Sequence, residues 1–287
     1  MTRRILVLGA TGPTGRLVVR GGLSGGHEVT ALVRNPASFA EGHERLRVMQ
    51  GDARDPAAVA GAVEGQDAVL SILGQPFSPT RPVTLFSEAA RNVLEAMRHH
   101  GVRRFIGVTS GATSPRLESG SPFEWLFKTV IGRTAYADMR RMEALVTSAE
   151  VDWTIVRPAR LDDRPPSHQY RVAPGYVVPG MFWTARADLA ELLVRVVSDD
   201  LYVRQAIAIA TPRAARPGRT LLQRLLGGQR RLADQRLRDR PGPPPGQHEC
   251  GERLPCTIDS CIKVFSRGRD SSVLTSASAG AQWALRA

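Results

Sequence analysis

Two residue types are scarce in this chain of 287 residues: lysine everywhere, and cysteine over most of its length. Lysine occurs only at Lys128 and Lys263, so 37 of the 39 basic residues are arginine and a catalytic lysine has two places at most. The three cysteines, Cys250, Cys256 and Cys261, all lie beyond Thr211. The first 211 residues can therefore hold no disulfide, which suits a reducing compartment. No stretch approaches the ~18 apolar residues of a membrane span, and the N-terminus enters a strand-like run without the apolar core of a signal peptide. These absences predict a soluble cytoplasmic protein with no membrane association. The net charge of +12 is uneven: residues 212–287 carry 14 basic and 6 acidic residues, leaving about +4 on the rest. That distribution excludes a basic field over the whole molecule. The tail lacks aromatics interleaved with its arginines, which argues against sequence-specific nucleic-acid binding. Purely electrostatic contact of the tail with nucleic acid or acidic lipid stays open.

Short apolar runs at 4–8, 28–33, 46–50, 67–73, 103–109, 153–157 and 205–210 read as strands. Segments of helical period lie between them. Phe86, Ala90, Val93 and Met97 form one apolar face; Leu189, Leu192, Leu193, Val196 and Val197 form another. Asp55 before Pro56 reads as an N-cap with proline in the first helical position. His99 and His100 before Gly101 suit a helix C-terminus. The pattern predicts an α/β fold, a doubly wound parallel sheet of the Rossmann type, as a single domain over 1–211 with a small substrate region. Residues 212–287, rich in Arg, Pro and Gly, read as a poorly structured basic tail.

The run "ILVLGATGPTGRLVV" at 5–19 carries three glycines spaced three apart between a strand and a helix. That context gives each glycine a task in a dinucleotide fingerprint. Gly9 allows the tight turn, Gly12 lets the backbone reach a pyrophosphate, and Gly15 lets helix and strand pack closely. The phosphates would sit at a helix N-terminus, where unpaired N–H groups favour an anion. At the end of the second strand Arg34 stands where an NAD-specific site would carry an acidic residue. It is either a reader of the 2′-phosphate of NADPH or a solvated surface arginine. NADPH is the expected cofactor, with NADH the alternative.

"GATGPTG", "VTALVRNP", "QGDARDP", "GQDAVLSILG", "ARNVLEAMRHHGVRRFIGVTS" and "DWTIVRPARLDD" resemble the atypical short-chain dehydrogenase/reductases over residues 3–211. The likeness is strongest to flavin reductases of the biliverdin reductase B type and more distant to NmrA-like regulators. The resemblance implies that Gly9, Thr11, Gly12, Pro13, Thr14 and Gly15 hold the pyrophosphate and Arg34 the 2′-phosphate. It implies an adenine contact for Asp52, which otherwise reads as a turn residue. Leu73 and Gly74 would flank the ribose, with Gly74 equally a turn glycine. Thr109 and Ser110 would lie beside the nicotinamide, and the backbone of "RPARL" at 157–161, including Pro158, would close the other side. The family's histidine is replaced by Arg160. The Ser, Tyr-x-x-x-Lys set of short-chain dehydrogenases reads here as Ser110 with Tyr136-x-x-x-Arg140, and arginine is not a conservative replacement for that lysine. Ser110 and Tyr136 are the candidate catalytic residues; Tyr136 is a proton donor, a pocket wall or helix packing.

His248, Cys250, Cys256 and Cys261 lack the paired spacings of a structural zinc site, and no metal is expected. Asp162 and Asp163 read as a solvated loop. Phe123, Trp125 and Phe127 form either a lid over a flat acceptor or a buried helix face. Fewer than thirty residues separate Pro158 from Thr184, too few for a sugar-nucleotide domain. The combined reading is an NADPH-dependent reductase of a small planar acceptor such as a flavin, quinone or tetrapyrrole. The alternative is a non-catalytic dinucleotide sensor, as the NmrA-like resemblance allows.

Overall fold

The computed structural model describes residues 2–76, 81–116 and 125–212, with the side chains of 127 and 128 excepted. These residues belong to one compact unit, Met1–Arg216. The expectation for the tail, and the set His248, Cys250, Cys256 and Cys261, lie outside the described residues.

The sheet is built from β1 (Arg4–Leu8), β2 (Glu28–Val33), β3 (Leu46–Gln50), β4 (Ala68–Ser71), β5 (Arg104–Val108) and β6 (Asp152–Pro158). Three short strands follow, β7 (Arg160–Asp162), β8 (Arg171–Pro174) and β9 (Trp183–Ala185), before β10 (Gln205–Ala210). Eight strands run in the order β3-β2-β1-β4-β5-β6-β10-β8, all parallel except the antiparallel edge strand β8. The order reverses between β1 and β4. At such a switch point the loops leaving the strand ends diverge and open a crevice.

Among the described residues, five helices cover the sheet: α1 (Pro13–Ser24), α2 (Pro56–Val63), α3 (Leu85–His100), α4 (Arg133–Ser148) and α5 (Arg186–Ser198). Because side chains alternate along a strand, Leu6 and Leu8 pack under α2, α3 and α4, whereas Ile5 and Val7 pack under α1 and α5. Burial on both faces explains why the central strands are continuous apolar runs. The apolar faces read for α3 and α5 are buried, Asp55 caps α2 through the Ala57 N–H at 3.0 Å, and Gly101 ends α3 at φ 69°. No helix among the described residues is long and apolar enough to cross a membrane.

Four features depart from the sequence reading. Between β2 and β3 there is only a single 3-10 turn, Pro36–Ser38. The run at 67–73 is strand only over Ala68–Ser71, and Ile72 onward leaves the sheet to line the crevice. The supposed loop around Asp162 begins as β7, which pairs with β9 in parallel, Arg160 opposite Trp183. Asp162 is held by Arg164 at 2.8 Å and the exposed Asp163 by Arg186 at 2.7 Å. Of the set Phe123, Trp125 and Phe127, Trp125 is 53% exposed, as its neighbour Leu126 is in large part, so Trp125 is not part of a buried helix face, and the Phe127 side chain lies outside the described residues. Phe123 lies outside the described residues.

A buried carboxylate fixes α3 against α4. Thr84 precedes α3 without capping it through its side chain. Asp138 of α4, fully buried, instead accepts the Phe86 and Ser87 N–H groups at 2.8 and 3.2 Å. Orphan donors of the first helical turn are thereby satisfied across a helix interface, and Phe86 is locked where it faces the crevice.

Candidate active site

At the C-terminal ends of the parallel strands lies a cleft of about 1310 Å³. Ordinary small-molecule pockets span ~300–1,000 Å³, so this one has capacity for an extended dinucleotide and a second molecule. One end is formed by Gly9, Thr11, Gly12, Pro13, Thr14 and Gly15 with Arg34 and Asp52; the middle by Leu73, Gly74, Thr109 and Ser110; the far end by Tyr136, Pro158, Arg160, Trp183 and Arg186. All fourteen residues expected from the sequence to hold cofactor or take part in chemistry line it.

The three glycines differ in what demands them. Gly9 has φ +84°, and a Cβ there would lie 2.3 Å from the Ile72 carbonyl oxygen. A Cβ on Gly15 would lie 2.1 Å from the Gly9 oxygen. Both are required by the protein's own backbone. Gly12 has an ordinary φ of −69°, and a Cβ would meet nothing closer than 3.4 Å. Its missing side chain leaves space on the cleft side, at a helix start with no side-chain cap and no acidic residue in the first turn. A helix N-terminus open in this way attracts an anion, so the residues fit a dinucleotide pyrophosphate.

Arg34 follows β2 and is exposed. Arg16, which the sequence reading passed over, ties the glycine loop to the segment after Arg34: it donates to the Thr11 carbonyl at 3.2 Å and the Ser38 carbonyl at 2.7 Å and lies over the Phe39 ring. Asp52 accepts from the Arg54 N–H at 2.9 Å and from its guanidinium at 3.0 Å. These bonds hold its carboxyl below the usual carboxylate range, with Arg34 adding to the effect. Asp52 thus closes a turn while its edge faces the cleft.

Beside the cleft's middle, Ser110 caps a 3-10 turn, its oxygen accepting from the Ala112 N–H at 3.2 Å. Tyr136 is 5% exposed, and burial pushes its hydroxyl up to about 12. Arg140 does not repeat the role of the family lysine. It is exposed, does not line the cleft, and among the described residues its hydrogen bond is to the Thr113 carbonyl at 3.5 Å. Arg157 of the "RPARL" run also faces away. It is buried against Glu143 of α4, which accepts from its guanidinium at 2.7 and 3.1 Å, while Thr109 donates to the same carboxylate at 2.6 Å. Arg157 also donates to the Gly175 carbonyl at 3.1 Å and stacks on Tyr176 at 3.9 Å. One charged cluster thus joins the end of β5, β6, α4 and the segment after β8.

Sheet order, glycine loop and cleft define a Rossmann dinucleotide-binding protein. A family model described as NAD(P)H-binding matches residues 9–200, and the chain belongs to that family. Its membership agrees with the resemblance to atypical short-chain dehydrogenase/reductases. The chain is 29% identical over 178 residues to an uncharacterized chloroplastic protein of Arabidopsis thaliana, covering 58% of this chain and 62% of that one. It therefore spans less than two thirds of that relative's length. It is 27% identical over 231 residues, 78% of this chain and 74% of the relative, to the (4-alkanoyl-5-oxo-2,5-dihydrofuran-3-yl)methyl phosphate reductase of Streptomyces griseus. Among solved structures, an anaerobillin reductase from Escherichia coli O157:H7 superposes with TM-score 0.60 at 21% identity, covering 74% of this chain and 98% of its own. That likeness shows the fold.

Proposed function

We propose that the chain is an NADPH-dependent reductase of a planar, unsaturated acceptor in the class of flavins, quinones and tetrapyrroles. The observation that carries this reading is one continuous cleft running from the glycine loop and Arg34 to a far end where Tyr136, Pro158 and Trp183 offer flat and apolar walls. Relatives named as reductases support it. When bound, the dinucleotide supplies a hydride. The chain's own residues do the rest: the first turn of α1 binds phosphate, Arg34 receives the 2′-phosphate, and the far walls hold the acceptor flat and exclude water. Holding two reactants in register is itself a large part of catalysis.

Tyr136 keeps its proton. Burial raises its hydroxyl to about 12, which makes it a weak proton donor near neutrality. Tyr136 is accordingly a wall and hydrogen-bond donor, Ser110 a second donor beside it, and the acceptor's proton comes from water.

The test has two parts. Dissociation constants should favour NADPH over NADH, and Arg34→Ser should weaken NADPH by about tenfold or more, the worth of a charge-assisted hydrogen bond of ~1.5–3 kcal/mol, while leaving NADH unchanged. NADPH oxidation should then appear with at least one of a flavin, a quinone or a tetrapyrrole. Tight NADPH binding with no acceptor reduced would establish the sensor reading instead.

A further inference from the structure

The far end of the cleft has a charge character that a neutral flat acceptor does not require. Its charged lining residues, among those described, are Arg160 and Arg186, with no carboxylate. Arg186 is already matched, donating to Asp163 at 2.7 Å. Arg160 is different. The parallel pairing of β7 with β9 sets it opposite Trp183, and its backbone N–H is fixed by the Phe182 carbonyl at 3.1 Å. Its guanidinium lies over the Trp183 ring, 4.7 Å from the centroid. No carboxylate or carbonyl among the described residues accepts a hydrogen bond from its side chain.

A guanidinium stacked on an aromatic face keeps its in-plane N–H donors free, and stacking removes rotamer freedom before any ligand arrives. Such a group matches a carboxylate or phosphate in two-point geometry. Phe182, 61% exposed, and the adjoining Met181 continue the apolar surface beside it. The site thus combines a flat apolar face with one cationic edge.

We infer that Arg160 is an anion-recognition residue that selects acceptors carrying a carboxylate or phosphate at one edge of the ring system. The inference rests on the reductase reading for its acceptor, but its test does not need turnover. Two matched pairs separate the sources of charge: FMN against riboflavin for phosphate, and biliverdin against its dimethyl ester for carboxylate. Dissociation constants of all four are measured on the full chain saturated with NADP⁺, in wild type, Arg160→Gln and Arg160→Lys, and apparent KM values are measured alongside with NADPH. Wild type should bind the charged member of at least one pair about tenfold more tightly. Arg160→Gln should bring that ratio to about twofold or less, and Arg160→Lys should keep an intermediate ratio, because charge survives without the fork. The pair that responds names the anion. Equal binding of charged and neutral members by wild type, or a preference that survives in Arg160→Gln, would overturn the assignment. So would weaker NADPH binding in Arg160→Gln with the preference intact, which would give Arg160 to the cofactor. If the charged members bind preferentially through Arg160 yet none is reduced, the anion site stands and the reductase reading falls.

Discussion

Removing the Glu143 carboxylate should be among the most damaging single changes in this fold. In Glu143→Ala the Arg157 guanidinium, in a residue only 7% exposed, loses its contacts at 2.7 and 3.1 Å and keeps the Gly175 carbonyl and the Tyr176 ring. Thr109 loses the acceptor of its hydroxyl at the same time. Breaking a buried pair by deleting one partner costs about 3–5 kcal/mol, because the remaining charge is stranded. A domain has only ~5–15 kcal/mol in total. With a urea slope of ~1–3 kcal/mol per molar, the unfolding midpoint should fall by roughly 1 M or more. The double variant Glu143→Leu with Arg157→Met should recover most of that loss, since an apolar pair of similar volume needs no desolvation of charge. Equilibrium urea unfolding followed by circular dichroism measures both. A single variant costing under about 1 kcal/mol, or a double variant as unstable as the single, would refute the reasoning.

The glycines should divide by role. Gly12→Val should abolish NADPH binding, seen by isothermal titration, with the urea midpoint little changed, since its nearest neighbour is 3.4 Å away. Gly15→Ala should instead lower the midpoint itself, because its Cβ would lie 2.1 Å from a backbone oxygen. Tyr136 gives a pH dependence with a definite sign. Its pKa rises from 10.0 to about 12 on folding, so between those values the unfolded chain binds fewer protons than the folded one and stability falls as pH rises. Stability measured from pH 9 to 12 should fall less steeply in Tyr136→Phe than in wild type; identical slopes would contradict burial of that hydroxyl.

Legibility in the sequence followed the range of the interaction. The glycine loop, the Asp55 cap and the long apolar strands are encoded within a few consecutive residues, and local periodicity reveals them. Strands β7 and β9 have three residues each, too short for alternation to register, so the Trp183 side of the far wall is not legible in the sequence, while the RPARL run and Tyr136 are legible through the family resemblance. Asp138 caps a helix about fifty residues away in sequence, and Glu143 meets Arg157 and Thr109 across separate elements. Nothing in the local pattern marks such a carboxylate as buried rather than solvated. Arg160 was visible as a departure from the family's histidine. Its neighbour Trp183, which gives the departure a physical meaning, was brought beside it by the fold.

In the proposed reaction the cleft holds NADPH and an acceptor together for transfer between them. The most direct test of that reaction is single-turnover mixing of the NADPH-loaded full chain with FMN, following NADPH absorbance in wild type and Tyr136→Phe. Oxidation is expected in both, with rates within a few fold, because an acceptor that takes its proton from water has no need of the Tyr136 hydroxyl. A loss of roughly 10²- to 10⁴-fold in Tyr136→Phe, the worth of a general acid, would contradict the role given to Tyr136, and no oxidation by wild type of FMN or any acceptor of the panel would contradict the reductase itself.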